Sequence, residues 1–309
     1  MSIRRFRGLI AVAVVATGPA ALAGPPVLLA ADAGTAQLLR LDPLTAAPTL
    51  IGPLGVSTVA ALAWDSHRGV LYATSTATNQ LLRIDPLTAA TTVIGSLGTG
   101  CCMHGIEYRP ADATLYGVKI GTPHTLYRIN PNTGSATLVA SIPVSSAVGG
   151  TLAWDAAAGV MYFSDALGQT LHRINLTTGA LTLVGAFGIP GTPFVQVGVG
   201  MSWDPAFGLY ATDNGASGGP NDPLYRINTT TGQATLVGLT GGSNLLGLAF
   251  IGDACYADCN ADGALSVADF GCFQGRYVLA NAYADCNADG GLTVADFGCF
   301  QGKYVLGCP

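Results

Sequence analysis

Residues 224–238 of this 309-residue chain read LYRINTTTGQATLVG, and this phrase decides the fold because it occurs five times. The other copies are LLRLDPLTAAPTLIG at 38–52, LLRIDPLTAATTVIG at 81–95, LYRINPNTGSATLVA at 126–140 and LHRINLTTGALTLVG at 171–185. Each copy reads as two short strands joined by a tight turn, in which an Asp or Asn ends the first strand and a Gly often takes the positive-φ position. The phrase therefore predicts a repeated pair of strands.

Two further strands recur in a fixed order with this pair. An apolar strand ending in an aromatic residue stands at 61–64, 105–108, 152–154, 200–203 and 247–250, and a second short strand at 27–30, 70–73, 114–117, 160–163 and 208–211. The arginines of the third strands (40, 83, 128, 173 and 226) are 43, 45, 45 and 53 residues apart. Four short strands in a unit of about 45 residues are typical of a β-propeller blade.

The order of the strands also predicts how the ring closes. The N-terminal part supplies a second, third and fourth strand without a first, and the C-terminal end of the repeats supplies a lone first strand at 245–250. We therefore expect an all-β, five-bladed propeller over residues 24–252, closed by strands from both ends in one sheet. The repeated phrase resembles secreted bacterial propeller repeats of uncharacterised families, a likeness that implies the fold and no chemistry.

The N-terminal residues predict export. Three arginines precede an apolar run at 9–16, and Ala21-Leu-Ala23 offers a cleavage site, so residues 1–23 read as a secretory signal peptide, with a buried strand as the alternative. Without those three arginines, 10 basic residues face 18 acidic ones, and no basic stripe is present. These features predict a secreted or cell-surface protein that binds neither nucleic acid nor anionic membranes and has no membrane span after signal removal.

The loops at one propeller face hold few titratable groups. We take His104, His124, Asp165 and Asp213 as candidate residues there, with Asp165 and Asp213 as the acid pair that a polysaccharide hydrolase would need. Asp213 with Asp222 could hold a cation or simply form an Asx turn. The adjacent Cys101 and Cys102 near His104 predict a vicinal disulfide or loop tie; a metal or cofactor role is the alternative.

The C-terminal residues 258–269, DCNADGALSVAD, return as DCNADGGLTVAD at 285–296. Both copies match the calcium loop of an EF-hand, with oxygen ligands at positions 1, 3, 5, 7, 9 and 12 and a turn-forming Gly at position 6. The match predicts two calcium ions, and the alternative is a pair of Asx-rich turns. The predicted ligands are Asp258, Asn260, Asp262, Ala264 (carbonyl), Ser266 and Asp269 in the first loop, and Asp285, Asn287, Asp289, Gly291 (carbonyl), Thr293 and Asp296 in the second.

An apolar segment with the phrase Phe-Gly-Cys follows each loop, and position 12 is Asp rather than Glu. Paired loop-then-helix repeats of this kind are similar to the GC-type dockerin-like modules of secreted bacterial proteins, over residues 253–309. The resemblance implies a small α-helical calcium domain that attaches its carrier to a cohesin-like or other protein partner. Loop positions 10 and 11 would contact the partner; here they are Val267, Ala268, Val294 and Ala295, where the family commonly has Ser or Thr.

Six cysteines lie in the last 55 residues, which suggests disulfides in an exported chain, with zinc as the weaker alternative. We expect pairing within the symmetric set Cys259, Cys272, Cys286 and Cys299, and a clasp between Cys255 and Cys308. The whole sequence predicts a secreted, non-catalytic propeller that binds a protein or glycan ligand and is anchored by its calcium-dependent tail. The alternatives are a tethered polysaccharide hydrolase or lyase, and a structural cell-surface protein.

Overall fold

The computed structural model describes residues 26–144, 149–189, 197–213, 221–252, 256–260, 264–287 and 291–307. These residues form twenty β-strands and two α-helices. The elements are β1 (Val27–Asp32), β2 (Gln37–Leu41), β3 (Pro48–Pro53), β4 (Val59–Asp65), β5 (Val70–Ser75), β6 (Gln80–Ile84), β7 (Thr91–Ser96), β8 (Met103–Arg109), β9 (Thr114–Lys119), β10 (His124–Ile129), β11 (Ala136–Ile142), β12 (Leu152–Asp155), β13 (Val160–Asp165), β14 (Thr170–Ile174), β15 (Leu181–Ala186), β16 (Val197–Asp204), β17 (Gly208–Asp213), β18 (Pro223–Ile227), β19 (Ala234–Leu239), β20 (Leu245–Ile251), α1 (Val267–Val278) and α2 (Val294–Leu306).

The strands form five four-stranded antiparallel sheets, which are the five predicted blades. Blade 1 has the order β20-β1-β2-β3, and blades 2 to 5 are β4–β7, β8–β11, β12–β15 and β16–β19. In blade 1 the last strand of the chain's repeats pairs with the first, Leu28 opposite Phe250 and Ala30 opposite Leu248. Five blades, with one closed by strands from both ends of the repeat region, are therefore confirmed.

The innermost strand of each blade packs against those of its neighbours, and small residues allow the close approach. A Cβ on Gly105 would stand 2.5 Å from the Cα of Thr151, and one on Gly247 would stand 3.1 Å from the carbonyl carbon of Ala61. These glycines belong to the apolar first-strand phrase, so their place in the sequence repeat follows from the crowding at the centre of the ring.

The predicted turn chemistry is also present. Asn228 Oδ1 accepts the N–H groups of Thr230 at 2.8 Å and Thr231 at 3.0 Å. Asp or Asn makes the same pair of bonds at the matching place in every blade, at Asp42, Asp85, Asn130 and Asn175. Asp65 and Asp204 likewise cap the turns after their first strands. These side chains fix turns, as expected for Asx motifs.

In four blades, the glycine at the end of the fourth strand packs closely against the turn between the third and fourth strands of the next blade. Cβ atoms added to these glycines would lie 2.0–2.9 Å from a backbone oxygen: Gly52 on Thr88, Gly95 on Thr133, Gly185 on Thr231 and Gly238 on Thr45. The contact from Gly238 to Thr45 joins blade 5 to blade 1. In blade 3 the corresponding contact lies one residue further along the fourth strand, where Ser141 O packs against Gly179 in the turn of blade 4. Backbone thus packs on backbone around the ring.

Residues 256–260, 264–287 and 291–307 form a C-terminal module in which one helix follows each repeated loop, as predicted. Ser266 and Thr293 cap α1 and α2, and Asp269 and Asp296 complete a capping box at each helix. The buried aromatic residues of the module share one hydrophobic cluster with blades 2 and 3. Neither helix, nor any other in the described ranges, is long and apolar enough to cross a membrane.

Candidate functional site

The four predicted residues of the propeller face lie at the same end of the blades but are spread over three of them. His104 and His124 belong to blade 3, Asp165 ends β13 of blade 4 and Asp213 ends β17 of blade 5. Asp165 Oδ1 accepts the N–H of Gly168 at 2.9 Å, so this carboxylate forms a turn. Over the described ranges, no three His, Cys, Asp or Glu side chains gather in a metal-binding arrangement.

Asp222 joins the long loop of blade 5 to the ring-closing strand. Its Oδ2 accepts the N–H of Leu245 at 2.6 Å. Burial is the main cause that raises the pKa of this carboxyl to about 6, and the nearby carboxylates of Asp213 and Asp32 contribute to the increase. Asp32 in turn accepts the N–H of Ser243 at 3.0 Å. Asp222 and Asp32 thus hold the loops of blades 5 and 1 together.

The adjacent cysteines 101 and 102 form the predicted vicinal disulfide, with Cα atoms 3.7 Å apart. Their loop is tied by Lys119, whose Nζ donates to Thr99 O at 2.8 Å, and by Thr99, whose hydroxyl donates to Asn79 Oδ1 at 2.9 Å. Burial lowers the pKa of the neighbouring His104 to about 4. Because the disulfide consumes both thiols, this form of the loop offers no thiolate ligand.

The described carboxylates of the two repeated loops are buried at equivalent places. Asp258 and Asp285, at loop position 1, are 9% and 5% exposed, and Asp269 and Asp296, at position 12, are fully buried. Asp269 accepts the N–H groups of Asn260 at 3.2 Å and Ser266 at 2.8 Å. Each position-12 carboxylate therefore both closes its loop and caps the start of the helix that follows.

Asp296 repeats this pattern in the second loop, accepting the N–H groups of Cys286 at 2.9 Å and Thr293 at 2.8 Å. The predicted ligands Asp262 and Asp289 lie outside the described residues. Carboxylate oxygens at equivalent places in the two loops are the type of ligand that a hard, oxygen-binding ion prefers.

Disulfides join each loop to the helix that follows it. Cys259 bonds Cys272 and Cys286 bonds Cys299, both with Cα–Cα separations of 5.8 Å. The expected pairing within the symmetric set is thus confirmed, and the expected clasp between Cys255 and Cys308 lies outside the described residues. No cysteine among those described is left as a thiol for zinc.

An aromatic core relates the two halves of the module by approximate two-fold symmetry. Phe273 and Phe300 stack with centroids 4.3 Å apart, and Tyr256 and Tyr283 stack at 4.6 Å with nearly parallel rings. Each tyrosine hydroxyl donates to the backbone carbonyl of the other tyrosine. The tyrosine pair was not predicted, although the repeated phrase Tyr-Ala-Asp-Cys before each loop carried its signal.

The module packs on the propeller face that carries the first-to-second and third-to-fourth turns, here called the lower face. Tyr283 is central to this contact: its ring lies edge-on to His67 at 5.0 Å, and the Arg68 guanidinium lies 5.8 Å from its centroid. Tyr108, from β8, shares a 2.8 Å hydrogen bond with His67 Nδ1. The sequence did not predict this contact, because no repeat marks these residues as partners.

His67 should make the protein sensitive to acid. Burial lowers its pKa from 6.5 to about 3, with help from the nearby charges of Arg276 and Arg68. Below pH 6.5 the His67 ring binds a proton in the unfolded chain but not in the folded chain. The free energy of unfolding therefore falls as the pH falls from about 6.5 toward 3. We expect a loss of about 2–3 kcal/mol at pH 4.5 relative to pH 7 from this group alone.

The measurement is urea unfolding between pH 7 and 4.5 for the protein and for His67→Asn, which keeps a hydrogen-bonding group beside Tyr108 without a titrating ring. The variant should lose less stability on acidification. His104 remains in both proteins, so its contribution cancels in the comparison. Equal acid sensitivity in the two proteins would show that His67 does not carry the effect.

The predicted partner-binding residues lie on the open surface of the module. Val267 and Val294 are 86% and 85% exposed, and Ala268 and Ala295 beside them are also exposed. Both pairs begin a helix, at equivalent places in the two halves. The module therefore presents two matching apolar patches to solvent while its tyrosine-bearing side contacts the propeller.

Comparisons with known proteins support the fold. Residues 96–155 match the model of a family described as Domain of unknown function (DUF4394), and no curated protein matches the chain. A chain in the crystal structure of a nidogen/laminin complex aligns over 73% of this chain and 98% of its own length, at 14% identity and a TM-score of 0.51. The chain is thus similar in fold to that protein.

Two further solved structures are similar at lower scores. A protein of unknown function from Bacteroides thetaiotaomicron VPI-5482 aligns at 17% identity, TM-score 0.48, over 70% of this chain and 62% of its own. The PQQ-bound aldose sugar dehydrogenase of Streptomyces coelicolor aligns at 18% identity, TM-score 0.40, over 65% and 75%. None of these likenesses assigns chemistry to this chain.

Proposed function

We propose that this chain is a secreted, non-catalytic interaction protein whose propeller is joined to a dockerin-like module with two calcium ions. The observation that carries the proposal is the set of four buried carboxylates, Asp258, Asp269, Asp285 and Asp296, at equivalent places in two loops. Calcium prefers such oxygen ligands, and the loop sequences supply position 5 and the position-6 glycine as well. Bound calcium would order each loop and the helix that follows it.

The propeller supports an interaction role more than a catalytic one. Its candidate face is rimmed by Gly, Ser, Thr and Pro loops, and its aspartates serve turns and loop contacts. Propellers present broad faces for binding, and the similar fold in the nidogen/laminin complex comes from a structure of two associated proteins. We therefore propose a protein ligand, with a glycan as the competing outcome of a binding screen.

Further features of the chain support the proposed export and anchoring. The sequence pattern of residues 1–23 and the three disulfides of the described residues are compatible with an oxidising, extracellular location. The exposed patches at Val267 and Val294 would contact a cohesin-like or other docking protein through apolar packing. An apolar patch on each half suits a partner that buries Val and Ala rather than one that hydrogen-bonds to Ser or Thr.

Calorimetric titration of the calcium-stripped full chain should show two calcium ions per molecule. Asp269→Asn and Asp296→Asn should each weaken one site by about tenfold or more, because each removes a charge from a hard-cation ligand set. Asp165→Asn is the matched control, since this aspartate belongs to a propeller turn, and it should leave both sites intact. A folded chain that takes up no calcium would overturn the metal proposal.

A binding screen tests the interaction role separately. The calcium-loaded full chain, immobilised, should retain an extracellular protein and should leave an array of soluble polysaccharides unbound and uncleaved. Retention of a glycan would replace the proposed ligand class, and release of shortened sugar chains would replace the non-catalytic assignment.

A further inference from the structure

The contact between the module and the propeller reaches a predicted calcium ligand. Asn132, in the third-to-fourth turn of blade 3, donates from Nδ2 to Asp285 Oδ2 at 3.2 Å. Asp285 is position 1 of the second loop and is 5% exposed. A carboxylate can accept several contacts at once, so this hydrogen bond is compatible with Asp285 acting as a ligand.

Asn132 is not required by its own turn. The turn uses the backbone N–H of this residue, which donates to Asn130 Oδ1 at 2.9 Å. The same place holds Leu44, Leu87, Thr177 and Thr230 in the other blades, and the two leucines are 74% and 85% exposed. The turn therefore accepts many side chains, and the amide of Asn132 has a specific partner in Asp285.

Two more hydrogen bonds fasten the module to the same blade. Arg276 Nη2 donates to Pro110 O at 3.1 Å, and Asn281 Nδ2 donates to Asp112 O at 3.2 Å. The same Arg276 nitrogen donates to Cys259 O, in the first loop, at 2.9 Å. Both loops are thus connected to blade 3, the first through Arg276 and the second directly through Asn132.

The two halves of the module carry different residues at one pair of helix positions that the sequence repeat makes equivalent. The helices read VADFGCFQGRYV and VADFGCFQGKYVL, so Arg276 in α1 corresponds to Lys303 in α2. Arg276 is 8% exposed, with its guanidinium 4.6 Å from the Tyr283 centroid, whereas the Lys303 ammonium lies over Tyr256. A planar guanidinium can donate to two carbonyls and stack on a ring together, which an ammonium cannot.

We propose that blade 3 and the second calcium loop form one coupled unit, in which Asn132 orients Asp285 for calcium and bound calcium holds the module on the propeller. This inference rests on the proposed calcium function. Residues beyond the ligands orient them and tune metal affinity, and such coupling is reciprocal. The module is then a fixed part of the propeller's lower face, and the propeller's ligand must bind elsewhere.

Calorimetry on the full chain and on Asn132→Thr tests the coupling. Threonine already occupies this place in blades 4 and 5, so the variant keeps a side chain that the turn accepts. The second-loop site, identified as the one that Asp296→Asn weakens, should bind calcium about tenfold more weakly in Asn132→Thr, within the range for ligand-orienting residues. Thr177→Ala, at the same turn place in blade 4, should change neither site.

Hydrogen exchange gives the reciprocal readout. Adding calcium to the stripped full chain should slow exchange in residues 110–116 of blade 3, and Asn132→Thr and Arg276→Lys should each reduce that protection. Unchanged calcium affinity in Asn132→Thr, with two sites still present, would overturn the coupling and leave the calcium proposal standing. Absence of calcium binding in the unmodified chain would overturn both.

Discussion

Replacing Gly185 with alanine should lower the melting temperature of the protein by roughly 6–12 °C, at about 2–4 °C per kcal/mol for a domain of this size. A Cβ at this position would stand 2.0 Å from the carbonyl oxygen of Thr231 and 2.8 Å from its carbonyl carbon. Both sides of the contact are backbone, so no flexible side chain can move aside. Overpacking typically costs about 1–3 kcal/mol, and we expect about 3 kcal/mol here because two blades must separate.

Gly271→Ala is the matched control for this substitution. Nothing lies within 4 Å of a Cβ on Gly271, which stands inside α1. Alanine there should raise helix stability by up to about 1 kcal/mol. Differential scanning calorimetry of the three proteins compares the effects directly. A Gly185→Ala protein that melts within 2 °C of the unmodified chain would show that the blades can adjust at this contact.

The ring was predictable from the sequence because each blade repeats the same physical demands. The Asx residue that begins the turn recurs in every blade, and the glycine at the end of the fourth strand recurs in four of the five. Closure was predictable because a missing first strand at one end and an extra one at the other can be satisfied together. Strand pairing in blade 1 confirms that solution.

The contact between module and propeller was not predictable in the same way. Asn132 and Asp285 are 153 residues apart, and each has a sufficient local explanation in the sequence, one in a turn and the other in a repeated acidic loop. His67 likewise reads as one more turn residue of the sequence DSHRG until Tyr283 is placed beside it. A contact that is made only once in the structure, between common residue types, produces no repeating pattern in the sequence.

The disulfide pairing was only partly predictable from the sequence. Symmetry limited the pairing to the set of four cysteines at 259, 272, 286 and 299, without deciding between partners in the same half and partners in different halves. The structure pairs each loop with its own helix. Each half is therefore a covalently closed loop-and-helix unit, and noncovalent aromatic packing joins the two.

That division makes the aromatic core the most vulnerable part of the module. Phe300→Ala should destabilise the C-terminal module by about 3–5 kcal/mol, the usual cost of removing a fully buried aromatic ring. Phe300 is 0% exposed; it stacks on Phe273 at 4.3 Å and lies edge-on to Phe270 at 5.2 Å. Because these contacts join α2 to α1, their loss should separate the two repeated loops while the propeller blades stay folded.

Hydrogen exchange of the full chain, in chelator and in calcium, measures this loss helix by helix. In chelator, α1 and α2 of Phe300→Ala should exchange far faster than in the unmodified chain, while β12 to β15 keep their protection. Calcium at a hundred times its Kd should restore about 2.7 kcal/mol for one site, so part of the protection should return. Val305→Ala, on the same helix but with a side chain 78% exposed, should behave as the unmodified chain does. If α1 and α2 of Phe300→Ala exchange as slowly as those of the unmodified chain, the two disulfide-closed halves hold together without the stacked phenylalanine rings.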